Sequence, residues 1–175
     1  PVLKKMNRKI TRKEIEATMA RVRRKLPDVA WRTTFIVGFP TETDQDFEEL
    51  VDFVSEGHFQ HLGIFLYSDE DNIRSSKFGD PIPISLKEER KNRLMEIQQK
   101  ISREHHQKMV GSLQQVLVGG FSSETDLLLE GRNQYQGPEV DGVVYINEGN
   151  ATSAGFHQVE ITEAHEYDLV GKILN

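Results

Sequence analysis

The chain contains no cysteine in its 175 residues. This excludes disulfides, thiolate zinc sites and cysteine-held iron–sulfur clusters built from these residues, and leaves the redox compartment open. No apolar run approaches the roughly 20 residues that span a bilayer. No basic-then-apolar leader opens the chain, so a cytoplasmic protein with no membrane partner is expected. The chain starts at Pro1 rather than Met, inside what reads as a structured loop, as expected of a piece of a longer protein. Cations are scarce in the last third. From Ser112 to Asn175 ten carboxylates stand against only Arg132 and Lys172, a net charge of −8, while the whole chain carries −6. A surface of that sign repels a polyphosphate. Direct nucleic-acid binding is therefore not expected, and the partner of this segment should be basic, a protein in the first instance.

What the chain does contain falls into two patterns. Thr11 with Glu14 forms a capping-box signature, and Ile15, Met19, Val22 and Leu26 follow helical spacing, which predicts a helix over 11–26. Residues 31–39 (WRTTFIVGF) read as a strand covered on both faces. Thr43 with Asp46 opens a second helix that Gly57 ends. Residues 61–67 (HLGIFLY) give a second buried strand. Strand, helix, strand with short links is a βαβ unit with parallel pairing. Two parallel strands make a poor sheet alone, which again suggests a larger α/β domain. A polar loop over 69–84 leads to a long helix with Ser85 and Glu88 as its capping box and Leu94, Ile97 and Ile101 as its apolar stripe.

After Gly111 the class changes. Short glycine-punctuated strands at 113–118, 127–132, 143–147, 156–161 and 166–173 predict a small five-stranded OB-like barrel. The expected fold is therefore α/β plus all-β, with domains at 1–110 and 111–175.

Candidate sites follow from placement. Gly38 stands at the carboxyl end of a parallel strand, where ligands bind in such sheets, and Arg32, Thr34, Ile36 and Gly38 share one side of that strand. Arg8, in a loop ahead of the first helix, could hold a carboxylate, or simply be a solvated Arg. Tyr67 at the end of the second strand has similar standing. Arg132, Glu139 and Asp141 belong to the glycine-rich turn segment of the barrel, with Glu139 and Asp141 projecting outward. His58 with His61, or the adjacent His105 and His106, do not make a chelating set, and no metal site or catalytic residue is expected among these residues. The run Arg21–Lys25 (RVRRK) reads as a solvated helix face, with contact to RNA or a neighbouring domain as the lesser alternative.

The strings LKKMNR (3–8), RTTFIVGFPTET (32–43), GIFLYS (63–68), LMEIQQKIS (94–102), GRNQYQGPEVDG (131–142) and YDLVG (167–171) resemble, in this order, the radical S-adenosylmethionine methylthiotransferases. The last two are similar to the branch that modifies an aspartate of a small-subunit ribosomal protein, the twelfth of that subunit. The resemblance implies the carboxyl half of a partial TIM-like radical barrel followed by a TRAM domain. It also implies S-adenosylmethionine and two 4Fe-4S clusters, with the cluster ligands upstream of Pro1, and an electron donor. By position, Thr34, Ile36 and Gly38 would line the S-adenosylmethionine pocket and Arg8 would meet its carboxylate; Tyr67, Arg132, Glu139 and Asp141 would meet the substrate. The chain departs from the family's pattern at Thr41, at Asn72-Ile73 and at Gly137. Two other functions compete with a ribosomal protein methylthiotransferase: a transfer RNA methylthiotransferase, and a non-catalytic OB-like binding module. The acidic barrel and the PEVDG string favour the ribosomal protein.

Overall fold

A computed structural model describes residues 1–70, 75–149 and 154–174. The chain divides into two compact units, Pro1–Gln98 and Gln99–Asn175.

The first unit opens with a short helix α1 (Val2–Lys5) and continues with α2 (Arg12–Lys25), β1 (Arg32–Val37), α3 (Asp44–Ser55) and β2 (His61–Leu66). The predicted caps at Thr11 and Thr43 both form as capping boxes. Thr11 accepts from the Glu14 N–H while the Glu14 carboxylate takes the Thr11 N–H, and Thr43 and Asp46 do the same ahead of α3. These reciprocal bonds satisfy donors that a helix start leaves orphaned. Strands β1 and β2 pair in parallel from Arg32 with His61 to Val37 with Leu66. One face of this pair is packed: Phe35 meets Phe53 and Phe59 edge to face, and Met19 joins them from α2. The opposite face carries Arg32, Thr34 and Ile36, all exposed, and Phe65 is 64% exposed. Burial on both faces is thus not found. The strand alternates, because no described element of this unit lies over the second face.

A 3-10 turn at Ser76–Phe78 precedes α4 (Ile84–Gln107), and the division between units falls within this helix. The predicted Ser85 cap is corrected. The helix begins at Ile84, and the Pro83 carbonyl accepts from the N–H groups of Leu86 and Lys87. Ser85 lies inside the first turn.

The second unit is a closed barrel of β3 (Leu113–Phe121), β4 (Leu129–Asn133), β5 (Val144–Glu148), β6 (Gly155–Ala164) and β7 (Leu169–Ile173), in the order β3-β4-β5-β7-β6. Closure leaves no unpaired strand edge. Val116, Val118, Val144, Ile146, Val159, Ile161, Leu169 and Ile173 fill the interior. They are mostly β-branched, as suits a pleated, tightly curved sheet. Gly142 marks the tightest approach. A Cβ there would lie 1.8 Å from the Tyr167 carbonyl oxygen.

Backbone in that position cannot move aside cheaply, so Gly142→Ala should destabilise the barrel by about 2–3 kcal/mol, read as a lowered melting temperature. Gly119→Ala, whose nearest neighbour would be Glu130 O at 3.9 Å, should change stability by less than about 0.5 kcal/mol. Equal effects would show that the close approach at Gly142 is not what requires glycine.

Candidate functional site

The carboxyl ends of β1 and β2 converge on two cations from α4. Lys87 is only 2% exposed. Its ammonium donates to both carboxylate oxygens of Asp80, at 2.5 and 2.6 Å, and to the Tyr67 carbonyl at 2.8 Å. One turn on, Arg90 forks between Glu42 and Asp44, at 2.6 Å each. Glu42 in turn accepts the Gly38 N–H at 3.0 Å. The side chains of Arg90 and Glu42 are 4% and 5% exposed. Burial pushes the Glu42 carboxyl above its usual range, against the pull of the Gly38 N–H and of Arg90. The guanidinium also lies 5.2 Å from the centre of the Phe47 ring. A helix face thereby fixes the chain after both strands, through backbone groups that the β ladder leaves unpaired.

Gly38 does not face empty space. Its φ is +76°, and a Cβ would meet the aliphatic stem of Lys87 at 2.4 Å. The open side expected to admit a cofactor is filled by Lys87. Thr34 and Ile36 do stand exposed on the uncovered sheet face, with Thr34 opposite Gly63 in the ladder. Arg8 is exposed beyond α1 and makes no ion pair among the described residues. Tyr67 is 7% exposed, its ring packed edge to face on Phe39. Its hydroxyl donates to Asp69 at 3.5 Å, and the Lys87 ammonium stands 5.4 Å from the centre of its ring. Asn72-Ile73 lies outside the described residues.

A second candidate lies in the barrel. An open groove of about 550 Å³ is lined by Arg132, Glu139 and Asp141, together with Glu130 and several glycines. Three residues chosen from the sequence for contact with substrate are therefore brought together. Their roles differ, however. Glu139 is exposed, at a φ of +63° that side chains rarely adopt. Asp141 is half-buried and accepts the Gly137 N–H at 2.7 Å. It closes the turn instead of projecting outward, because a carboxylate four residues on can satisfy an N–H that the loop would otherwise orphan. The acidic field is felt on the barrel's outer side: the phenol of half-buried Tyr145, which alternates with the interior residues Val144 and Ile146, is pushed up, first by burial and then by Asp168, Glu124 and Glu130. Among the described residues no group of three or more His, Asp or Glu could hold a metal ion, and no helix is long and apolar enough to cross a membrane.

Lys87, Arg90 and Glu42 were not among the residues chosen from sequence. The one available signal was the spacing Lys87, Arg90, Leu94, Gln98, which repeats every three or four residues as a buried face does.

Comparison with known proteins matches residues 1–54 to the Radical SAM superfamily and residues 110–174 to the TRAM domain. Over 173 residues the chain is 50% identical to a Bdellovibrio bacteriovorus protein named ribosomal protein uS12 methylthiotransferase RimO, covering 99% of the chain and 38% of that relative. Proteins of the same name from Geobacter sulfurreducens and Desulfotalea psychrophila are 42% and 45% identical, over 175 and 174 residues, which are 100% and 99% of this chain and 39% of each relative. The chain thus spans about two fifths of the length of these curated relatives.

Arg90→Met should destabilise the first unit by about 3–5 kcal/mol at neutral pH, since it strands the buried Glu42 carboxylate. The loss should shrink as pH falls and Glu42 takes up a proton. In the parent chain, the raised Glu42 value means that its contribution is fully present below the ordinary carboxyl range. That contribution is lost as pH rises through the elevated folded value. Urea unfolding across pH measures both, and a pH-independent cost of Arg90→Met would contradict the assignment.

Proposed function

Since this chain belongs, over the part it spans, to the radical S-adenosylmethionine methylthiotransferases that carry a TRAM domain, we propose that the protein methylthiolates an aspartate of a small-subunit ribosomal protein. The observation that carries this reading is the 42–50% identity, along almost the entire chain, to proteins named for acting on uS12. The barrel's charge supports it. The barrel segment, at a net −8, attracts a basic protein and repels transfer RNA, so the barrel lends the transfer RNA reading no support.

In such an enzyme S-adenosylmethionine together with 4Fe-4S clusters would supply, when bound, the radical chemistry that activates a carbon–hydrogen bond. With no cysteine, these residues offer no thiolate to a cluster. For S-adenosylmethionine the fit is partial. Thr34 and Ile36 present an open polar–apolar face on which it could lie, and Arg8 is an exposed partner for its carboxylate. Gly38 serves differently: its N–H, held by Glu42, and its missing Cβ, replaced by Lys87, fix the loop that borders that face. The work of this unit is thus orientation. In the barrel, Glu130 and Glu139 attract the basic substrate, Asp141 shapes the groove, and Arg132 offers a donor to a substrate carbonyl or carboxylate.

Two outcomes are expected. The 175-residue chain should remain colourless after anaerobic treatment with iron and sulfide; a 4Fe-4S absorption band would contradict the ligand assignment. In the full-length enzyme, Glu130→Lys with Glu139→Lys should slow association with the purified ribosomal protein by about tenfold or more at low salt. Modification of its aspartate, read by mass spectrometry, should fall in step. Unchanged association would remove the groove from the reading, and failure of the parent enzyme to modify the ribosomal protein would remove the reading itself.

A further inference from the structure

The net charge of −6 conceals a second extreme at the other end of the chain. Residues 1–26 hold ten Lys and Arg against Glu14 and Glu16 alone, a net charge of +8. Both acids are spent locally. Glu14 caps the helix through Thr11, and Glu16 bonds Arg12 at 2.6 Å. Arg12 and Arg23 are also engaged, with Glu56 and with His58. What remains is ordered. Lys13, Arg21 and Arg24 recur with Ala17 at helical steps of four, four and three, so they share one face of α2, and Lys25 flanks it. All four cations are exposed, and none forms an ion pair among the described residues. Ala17 and Ala20, also exposed, keep this face low between the cations, so a rigid backbone can come close.

The sign of the face excludes the substrate assigned to the barrel, because a basic ribosomal protein would be repelled here. An anionic membrane is disfavoured as well. A surface-lying helix inserts an apolar side, but the apolar side of α2 is committed to the unit's core, where Met19 is 5% exposed and Ile15 packs beside it. An anionic polymer that offers charges in series without needing apolar contact is RNA.

We propose that this face of α2 binds the phosphate backbone of RNA, and that the protein meets its basic substrate together with ribosomal RNA. The inference rests on the ribosomal-protein reading above: basic ribosomal proteins reside among RNA phosphates, so an enzyme acting on one there needs a positive surface beside its acidic groove. The expectation that nucleic acid is not bound derives from the barrel's charge and does not extend to this unit. The interaction is with backbone, hence sequence-independent and strongly salt-dependent.

The test uses the full-length enzyme and a fluorescent RNA duplex of about 20 base pairs with no natural sequence, a length comparable to sites read by shape and backbone. With about four phosphates neutralised, affinity should drop about 50- to 150-fold between about 50 and about 200 mM salt. The variant with Lys13, Arg21, Arg24 and Lys25 all changed to Gln should lose most of that salt dependence and bind at least about tenfold more weakly at the lower salt. Circular dichroism serves as the check on folding, since these positions are solvent-facing. Binding and modification of the free ribosomal protein by this variant should match the parent, while modification of the assembled small subunit should fall. Unaltered RNA affinity in the quadruple variant would overturn the proposal. So would equal binding to anionic phospholipid vesicles or to an acidic protein of matched charge, lost in the same variant. Failure of the ribosomal-protein reading is seen separately, as absent modification of the free protein by the parent enzyme.

Discussion

The first unit depends on two cations that a helix carries into its interior. A parallel strand pair delivers its chain ends to one side, and each end leaves backbone groups outside the ladder. Here the Tyr67 carbonyl is taken by Lys87 and the Gly38 N–H by Glu42, which Arg90 holds. Burying these charges carries a large desolvation penalty, and apolar side chains of similar volume could fill the same space at comparable stability. What they would not supply is direction. An ammonium shared by one carboxylate and one carbonyl, and a guanidinium forked between two carboxylates, define where the post-strand loops lie. The same arrangement explains the glycine at position 38. With Lys87 threaded past it, a side chain and a left-handed backbone could not coexist there.

Legibility of this fold in the sequence followed how local each determinant is. The boxes at Thr11–Glu14 and Thr43–Asp46 are short-range, with partners three residues apart, and both formed. The five barrel strands were marked by glycines, and they form the expected five-stranded barrel, which closes completely. Ser85 failed because Pro83, which lacks only an N–H that a helix start does not need, already opens the helix. The apolar stripe of α4 misled more deeply. Ile97 and Ile101 are half-buried, while the residues turned fully inward are Lys87, Arg90, Leu94, Gln98, Ser102 and His106. A hydrophobicity pattern cannot reveal a buried face that is mostly polar. Its partners, Asp80, Glu42 and the Phe59 carbonyl that Gln98 donates to, are distant in sequence. Asp141 shows the same limit at the site: its composition suggested a projecting acid, and only the turn geometry shows it bonded to Gly137.

Charge is the one feature that composition reports faithfully by segment and misreports for the whole. A chain with +8 in its first 26 residues and −8 from Ser112 onward sums to little, and its overall −6 describes neither surface. At physiological ionic strength fields decay over about 8 Å, so whatever docks on a patch feels that patch rather than the sum. Each segment is therefore selective on its own terms. On the proposed reading, the barrel's carboxylates attract a cationic protein and repel polyphosphate, and the cations of α2 do the reverse. A substrate that is itself basic, and that resides among phosphates, satisfies both conditions at once, and neither a free nucleic acid nor a free acidic protein does. If the protein acts as proposed, the segregation of charge along this sequence thus narrows the surroundings in which its substrate would be met, beyond what the family resemblance alone implies.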